Sequence, residues 1–343
     1  MINFNEIIKE LLSGLSQRQK DIIEQRFGLN GRKRTLAAVG KKYGLTRERV
    51  RQIESAGLKS ISEKLKKNSV ASAAINEAIN HLKKSGGVMK EGAFLNELRG
   101  LFKNNNITGE QVKFVFEVAG APDHQIEDKN FRAFWYLDKD SRKAAFDFIN
   151  KLEKFISDKK EDLITHKKFD ELFSQAVKPH GIKDFVALNY VGISKKFSVS
   201  PFGDFGLAKW DEITPKTARA KAYLILKKHG APLHFKEITK KINDLKINLK
   251  KRIIHQTIHN ELIKDPRFVL VGRGMYGLSE SGLKPGIAKD VISRILKIKG
   301  PLRKEEVVDL VKQERFLKDN TILLNLQNKK HFKRAADGRY HIK

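Results

Sequence analysis

Apolar residues along the chain follow a pattern of helices and short strands that recurs about every seventy residues. In residues 214–280, apolar residues first recur every three to four positions, which predicts amphipathic helices. They then alternate with polar residues on either side of Gly272 and Gly274, which predicts two strands joined by a tight turn, because glycine accepts a positive φ. The predicted helices are Ala218 to His229, Phe235 to Leu245 and Ile253 to Lys264.

The same order of elements recurs at the C-terminal end of the sequence. Residues 281–343 have Gly300-Pro301-Leu302 at the first turn and Asp337-Gly338 in the closing hairpin. Two fainter copies precede the clear ones and end in aromatic segments, Phe131 to Leu137 and Phe202 to Trp210. Helices followed by a hairpin are typical of a winged helix, and repetition at a fixed period indicates an array of like modules.

The first seventy or so residues follow a different pattern, with a short helix, a sharp turn and a second helix in Leu36 to Ser55. Where two helices cross closely one position must be small, and Gly40 meets that requirement. Gly44 suits the left-handed conformation of the turn. We expect the second helix to end near Gly57, since glycine costs roughly 1 kcal/mol in a helix. The shared core is formed by apolar residues at helical spacing: Val39, Tyr43, Leu45, Val50 and Ile53.

These patterns predict the fold class and its division. We predict a mainly α protein with small β-wings, in which an N-terminal helix-turn-helix is followed by a tandem array of winged-helix modules. The predicted domains are residues 1–68 for the helix-turn-helix and residues 69–140, 141–213, 214–280 and 281–343 for the winged helices.

The second helix of the helix-turn-helix presents a polar face suited to a DNA major groove. Thr46 is placed to cap the helix with its hydroxyl. Arginine binds guanine and glutamine binds adenine through two hydrogen bonds each, and glutamate accepts one from cytosine. The predicted base-reading residues, which lie opposite Val50 and Ile53 beside Ser55, are Arg47, Glu48, Arg51 and Gln52. The predicted phosphate contacts are Arg32, Lys33, Arg34, Lys41, Lys42, Thr46 and Arg49.

The charge of the chain favours a nucleic-acid partner. Lysine and arginine total 69 against 40 acids, a net charge of +29, and such a field attracts polyanions. The excess is strongest between Arg32 and Lys67, where twelve basic residues face three acids. A membrane is not an expected partner, since no apolar run approaches the roughly 20 residues that span a bilayer. Without cysteine or a signal-peptide pattern, we expect a cytoplasmic protein associated with the nucleoid.

The sequence predicts no enzyme. It contains no phosphate-cradling loop of the P-loop type, no nucleophile elbow and no carboxylate cluster typical of a nuclease. His255 and His259 have a spacing that could pair on a metal, but the residues between them lack the glutamate of a zinc-hydrolase motif. We therefore expect no catalytic residue, no metal and no cofactor.

The N-terminal motif resembles region four of primary-type sigma factors. The resemblance is carried by Leu15 to Leu29, Arg34 to Gly40 and Leu45 to Glu54. In that family the region reads the upstream promoter element and touches the flap of the RNA polymerase β subunit. The resemblance implies base-reading roles for Arg47, Glu48, Arg51 and Gln52, with promoter DNA and RNA polymerase as partners. Because the motif comes first, whereas a sigma factor carries it last, we expect promoter contact without independent promoter opening.

Residues 214–280 are similar to the HARE-type winged helix, which occurs in the RNA polymerase delta subunit and beside some restriction and chromatin modules. The similarity is carried by Ala222 to Leu226, Pro232-Leu233, Glu237-Ile238 and Phe268 to Leu278. The expected function is sequence-specific DNA binding in transcription initiation. Two alternatives stay open: an architectural nucleoid protein that binds phosphates, and a DNA-recognition subunit of a restriction system.

Overall fold

The computed structural model describes residues 3–245 and 251–343, which fold as two compact units. The first unit contains residues up to Ser198 together with Phe205–Leu207, and the second contains Val199–Asp204 and the residues from Ala208 onward. The described residues are mainly helical, and their strands form small sheets of two or three strands. This confirms the predicted fold class of a mainly α protein with small β-wings, whereas the division into five domains remains a prediction.

The chain up to Leu207 is predominantly helical, with short strands after α5, α7 and α11. Its elements are α1 (Phe4–Leu12), α2 (Gln17–Phe27), α3 (Leu36–Tyr43), α4 (Arg47–Lys67), α5 (Ser69–Lys84), β1 (Val88–Lys90), α6 (Glu91–Leu101), α7 (Gly109–Ala119), β2 (Asp123–Gln125), β3 (Phe134–Tyr136), α8 (Lys139–Ile156), α9 (Lys160–Ile164), α10 (Phe169–Val177), α11 (Asp184–Ile193), β4 (Phe197–Val199) and β5 (Phe205–Leu207).

One hydrophobic core joins helices α1, α2 and α4 to the segment that follows them. Phe27 of α2 meets Phe114 of α7 edge to face, with ring centroids 5.1 Å apart. Phe4 of α1 packs against Phe102, at the end of α6, with centroids 5.7 Å apart. The side-chain amide of Gln111 donates a hydrogen bond to Asn5 at the edge of this core. The helix-turn-helix and helices α5 to α7 are therefore packed as one body.

The segments predicted as the second and third modules also pack on each other. Strand β3 lies between β1 and β2, so that Trp135 pairs with Met89 on one side and with His124 on the other. Helix α11 contacts β1, and the Tyr190 hydroxyl donates a hydrogen bond of 2.8 Å to the Gly86 carbonyl just before that strand. The polar strand β2 was not foreseen from the sequence, because it has no apolar alternation.

The second unit repeats the order of three helices and a hairpin twice, as predicted. Helix α12 has the predicted bounds, α13 ends one residue early and α14 begins two residues late. The wing strands β7 and β8 pair antiparallel around Gly272 and Gly274, and β6 joins them. The elements are α12 (Ala218–His229), β6 (Leu233–His234), α13 (Phe235–Asp244), α14 (His255–Lys264), β7 (Phe268–Gly272), β8 (Met275–Leu278), α15 (Ala288–Lys299), α16 (Lys304–Glu314), α17 (Asp319–Leu326), β9 (Phe332–Arg334) and β10 (Tyr340–Ile342).

Candidate nucleic-acid interface

The turn between α3 and α4 is fixed by backbone geometry and capping. Gly44 ends α3 with φ of 63°, in the left-handed region that the sequence predicted for it. The Thr46 hydroxyl caps α4 by accepting a hydrogen bond of 3.1 Å from the backbone N–H of Arg49. A Cβ on Gly40 would lie 2.5 Å from the carbonyl oxygen of Leu45, so only glycine allows this close approach. Both predicted glycine roles are confirmed.

A small hydrophobic cluster holds α3 and α4 against each other. Val39 of α3 and Val50 of α4 are fully buried, together with Ile22 of α2. Half-buried side chains surround them, namely Leu36, which was not among the predicted core residues, and the remaining predicted ones: Tyr43, Leu45 and Ile53. The predicted core is confirmed, and Ile22 of α2 completes it.

Helix α4, which is the second helix, or recognition helix, of the helix-turn-helix, is longer than predicted. We expected α4 to end near Gly57, but it continues to Lys67. Gly57 is buried where α4 crosses α2, and a Cβ there would lie 2.6 Å from Cδ1 of Ile23. The expectation was wrong because glycine serves close packing between helices at this position, and the buried residues Ile61 and Leu65 further along α4 hold the rest of the helix on the core.

The four predicted base-reading residues lie exposed in the first two turns of α4. The Arg51 guanidinium contacts the Glu48 carboxylate through two hydrogen bonds, from Nη2 at 2.7 Å and from Nε at 2.9 Å. The hydrogen bond from Arg51 holds the pKa of Glu48 below its ordinary value, and the Glu48 carboxylate raises the pKa of Arg51. Arg49 donates a bond of 3.2 Å to the Gln52 amide oxygen. The face is thus ordered, yet open to solvent.

The residues predicted to contact phosphates are exposed around the turn and the loop before α3. Arg32, Arg34 and Lys42 line one depression of about 360 Å³, which Asp21 and Glu24 of α2 also line. The set has no single point of convergence: Lys41 and Lys42 lie in the last turn of α3, whereas Thr46 and Arg49 lie at the start of α4. The Thr46 hydroxyl oxygen accepts a hydrogen bond as the cap of α4, and its O–H is still able to donate to a phosphate.

A partly buried ion pair fixes the loop that carries Arg32 and Arg34. The Arg26 guanidinium lies 3.0 Å from the Glu54 carboxylate, and both side chains are less than one fifth exposed. Arg26 also donates a hydrogen bond of 2.6 Å to the carbonyl of Arg34. The Gln25 amide donates to the Tyr43 hydroxyl at 2.9 Å, which ties α2 to α3. Sequence reasoning missed these positioning residues, because they are far apart along the chain.

Sequence reasoning also missed a groove between the starts of α2 and α4. The groove has a volume of about 520 Å³, and Arg18 and Gln19 line it opposite Arg49 and Gln52. Ser16 caps α2 in a reciprocal pair with Gln19. A signal was present in the sequence, since serine followed three residues later by glutamine marks a helix start, and helix starts favour anions. Arg18 therefore joins the candidate phosphate contacts.

The histidine pair of α14 lies among aromatic rings. The His259 ring centroid lies 4.6 Å from that of Phe235 and 5.9 Å from that of Tyr276, while His255 meets Phe235 edge-on at 6.5 Å. Within residues 3–245 and 251–343, no group of three or more histidine, aspartate or glutamate side chains is placed to hold a metal. In the same ranges no helix is long and apolar enough to cross a membrane.

These features describe a helix-turn-helix whose second helix presents an exposed polar face. Residues 11–63 match the family described as sigma-70, region 4. Residues 216–281 match the HARE-HTH family, whose description includes the ASXL and restriction endonuclease HTH domain. The two matches confirm the two resemblances seen in the sequence, and they place the exposed face of α4 inside the sigma-70 region.

Curated sigma factors are similar to the N-terminal part of this chain. The RNA polymerase principal sigma factor HrdD of Streptomyces viridifaciens is 51% identical over 55 residues, which are 16% of this chain and 17% of that protein. The RNA polymerase sigma factor SigA of a Bacillus species is 46% identical over 57 residues, which are 16% of this chain and 15% of that protein. The chain therefore spans about one sixth of the length of these relatives.

Proposed function

We propose that this protein reads a specific duplex DNA sequence with the first turns of α4 and acts in transcription initiation, as the promoter-reading part of a sigma factor does. One observation carries the proposal: four polar side chains share an exposed helix face whose backbone is capped, packed and matched to sigma-70 region 4. These side chains are Arg47, Glu48, Arg51 and Gln52.

Base reading requires the side-chain pairs on this face to exchange partners. Glu48 and Arg51 are each about 60% exposed, so water already competes for their ion pair, and its loss costs little. Once separated, the Arg51 guanidinium donates two hydrogen bonds to guanine and the Glu48 carboxylate accepts from cytosine. Each such contact discriminates against the wrong base by about 1–3 kcal/mol.

The basic residues around this face set its position on the duplex. Arg32, Arg34, Lys41 and Lys42 flank the turn, and Arg49 lies on the first turn of α4. Contacts from these residues to phosphates orient the helix without carrying sequence information. Neutralising them is therefore expected to weaken binding to all sequences alike, whereas changes at Arg51 and Gln52 alter which sequence is preferred.

The proposal includes RNA polymerase as a partner, through the β-subunit flap that the sigma-factor resemblance implies. In the described part of the first helix-turn-helix, residues 3–67, no large apolar side chain is exposed. The contact would therefore use polar and charged groups, and salt is expected to weaken it. Co-purification of polymerase with the full chain at low salt, and its loss at high salt, is the expected result. Retention of polymerase at high salt would contradict a polar contact.

The test of base reading is selection of bound duplexes from a random library, with the full chain and two matched variants. Arg51→Ala with Gln52→Ala removes one charge and one amide from the recognition face. Lys66→Ala with Ser60→Ala removes one charge and one hydroxyl from exposed positions further along the same helix. We expect a single enriched motif for the wild type and the control pair, and none for the face variant.

The outcomes separate this function from the two alternatives. Equal binding to all duplexes by the wild type would refute base reading and favour an architectural protein, which the net charge of +29 would support. An enriched motif at promoters, with polymerase at the same sites in crosslinking experiments, supports the role in initiation. A motif found instead at methylated or cleaved sites would favour a restriction system.

A further inference from the structure

The C-terminal segment carries a second concentration of positive charge, beyond the matched region that ends at residue 281. Residues 326–343 contain six lysine and arginine residues and one acid, Asp337. Asp337 is held in the hairpin turn, where it accepts a hydrogen bond of 3.1 Å from the backbone N–H of Arg339 and lies 3.8 Å from its guanidinium. The other basic residues have no acid within this stretch to neutralise them.

These charges surround a groove between the end of α17 and the hairpin of β9 and β10. The groove has a volume of about 660 Å³. Its floor is apolar and consists of two buried side chains and one half-buried ring, from Leu326, Phe332 and Tyr340. Exposed cations also line it: Lys329, Lys333, Arg334 and Lys343. The backbone of a nucleic acid alternates charged phosphates with less polar sugars. Such a backbone fits this groove, because its phosphates can face the cations at the rim and its sugars can face the apolar floor.

The hairpin that carries these cations is anchored to the helices beside it. Arg334 pairs with Tyr340 across the two strands. Tyr340 and Leu302 exchange backbone hydrogen bonds, of 2.7 Å from the Tyr340 N–H and 3.1 Å from the Leu302 N–H. Phe332 is buried in the core that α15, α16 and α17 form. The basic strand is thus held in place before any ligand arrives, which lowers the entropy lost on binding.

We infer that this groove is a second DNA-binding site, which holds the phosphate backbone of duplex DNA without reading its sequence. A duplex fits better than a single strand, because single-strand binding relies on several exposed rings for stacking and this groove offers one half-buried ring. The groove residues lie far along the chain from the α4 face, and they form a concentration of positive charge of their own. The inference therefore goes beyond the proposed function and does not depend on it.

The experiment measures how the affinity of the full chain for a fluorescent duplex of mixed sequence falls with salt, from roughly 50 to 200 mM. The groove variant changes Lys329, Lys333 and Arg334 to glutamine. The matched control removes the same charge by changing three exposed lysines elsewhere in residues 281–343 that do not line the groove, and these are Lys284, Lys297 and Lys318. Thermal unfolding checks that both variants keep their fold.

If the three residues changed in the groove variant each bind one phosphate, the slope of log affinity against log salt becomes less steep by about 2.7 in that variant, at about 0.9 per contact. The control is expected to change the slope by less than about 1. Equal changes in both variants, or none in either, would overturn the inference. So would a groove variant that loses more affinity for a single strand than for the duplex.

The same variants distinguish this site from the α4 face. Arg51→Ala with Gln52→Ala is expected to abolish sequence preference and to keep the groove-dependent part of the salt slope. The groove variant is expected to keep sequence preference and to lose that part of the slope. If base reading fails while the groove effect persists, only the proposed function is lost.

Discussion

Replacing Gly57 by alanine tests the crossing of α2 and α4 on which the recognition helix depends. A Cβ at Gly57 would lie 2.6 Å from Cδ1 of Ile23, well inside the 3.5–4.0 Å of a normal carbon contact. Ile23 is fully buried, so its side chain has no solvent to move into. Alanine would otherwise favour the helix, and the two effects therefore oppose each other at this position.

The expected magnitudes decide whether Gly57→Ala raises or lowers the free energy of unfolding. Alanine gains about 1 kcal/mol over glycine in a helix, whereas forcing an extra methyl into a packed core costs about 1–3 kcal/mol. We expect Gly57→Ala to lower the free energy of unfolding by about 1 kcal/mol. Ile23→Val removes the clashing Cδ1 and costs about 0.5–1.5 kcal/mol alone. The double variant should return close to the wild type, with a favourable coupling of about 2 kcal/mol.

Hydrogen exchange of the full chain, followed in peptides from α2 and α4, provides a local measurement, since about 1.4 kcal/mol changes protection tenfold. Gly100→Ala in α6 is the control, because a Cβ there would meet nothing within 4 Å. That change should raise protection in α6 and show no coupling to Ile23. A clash at this crossing would be contradicted if Gly57→Ala stabilised the fold as Gly100→Ala does, or if Ile23→Val did not rescue the Gly57→Ala variant.

Two further predictions concern the first unit, one its hydrophobic core and the other His124 of β2. Phe114→Ala should cost about 3–5 kcal/mol and lower hydrogen-exchange protection in α2 and α4 as well as in α7, and an effect confined to α7 would contradict the shared core. Burial outweighs the nearby Glu91 carboxylate and keeps the pKa of His124 below its ordinary value. The unfolded chain therefore takes up the proton first, so the free energy of unfolding should fall as pH drops through about 6.5, and His124→Gln should remove that fall.

The parts of the fold that were predicted from the sequence have local causes. Helix α12 was predicted with its observed bounds, and both ends have local causes in the structure, since Thr217 caps its start and Gly230 ends it in the left-handed conformation. The turn before α4 was predictable for the same reason, since Gly44 and Thr46 act on their own neighbours in the chain. Where a residue's role is set within four or five positions, the sequence pattern is sufficient.

The parts that could not be predicted depend on distant partners. From the sequence alone, Gly57 indicates the end of a helix. Its role in close packing is recognisable only once Ile23 is known to lie against it. Two other contacts are likewise recognisable only once the fold is known. These are the ion pair of Arg26 with Glu54 and the packing of Phe114 against Phe27. The same limit applies to the candidate site: its exposed residues were foreseen by helical periodicity, but the partly buried pair of Arg26 and Glu54, which positions the loop, was not.

The shared core has a consequence for the geometry of a DNA complex. Because α7 packs directly on α2 and α4, no flexible tether separates the recognition helix from the segment that follows it. If α4 docks in a major groove as proposed, the position of α5 to α7 along the duplex is set to a fixed number of base pairs and a fixed side of the helix. A tether would permit a range of spacings, whereas here any contact those helices make should recur at one distance from the α4 contact.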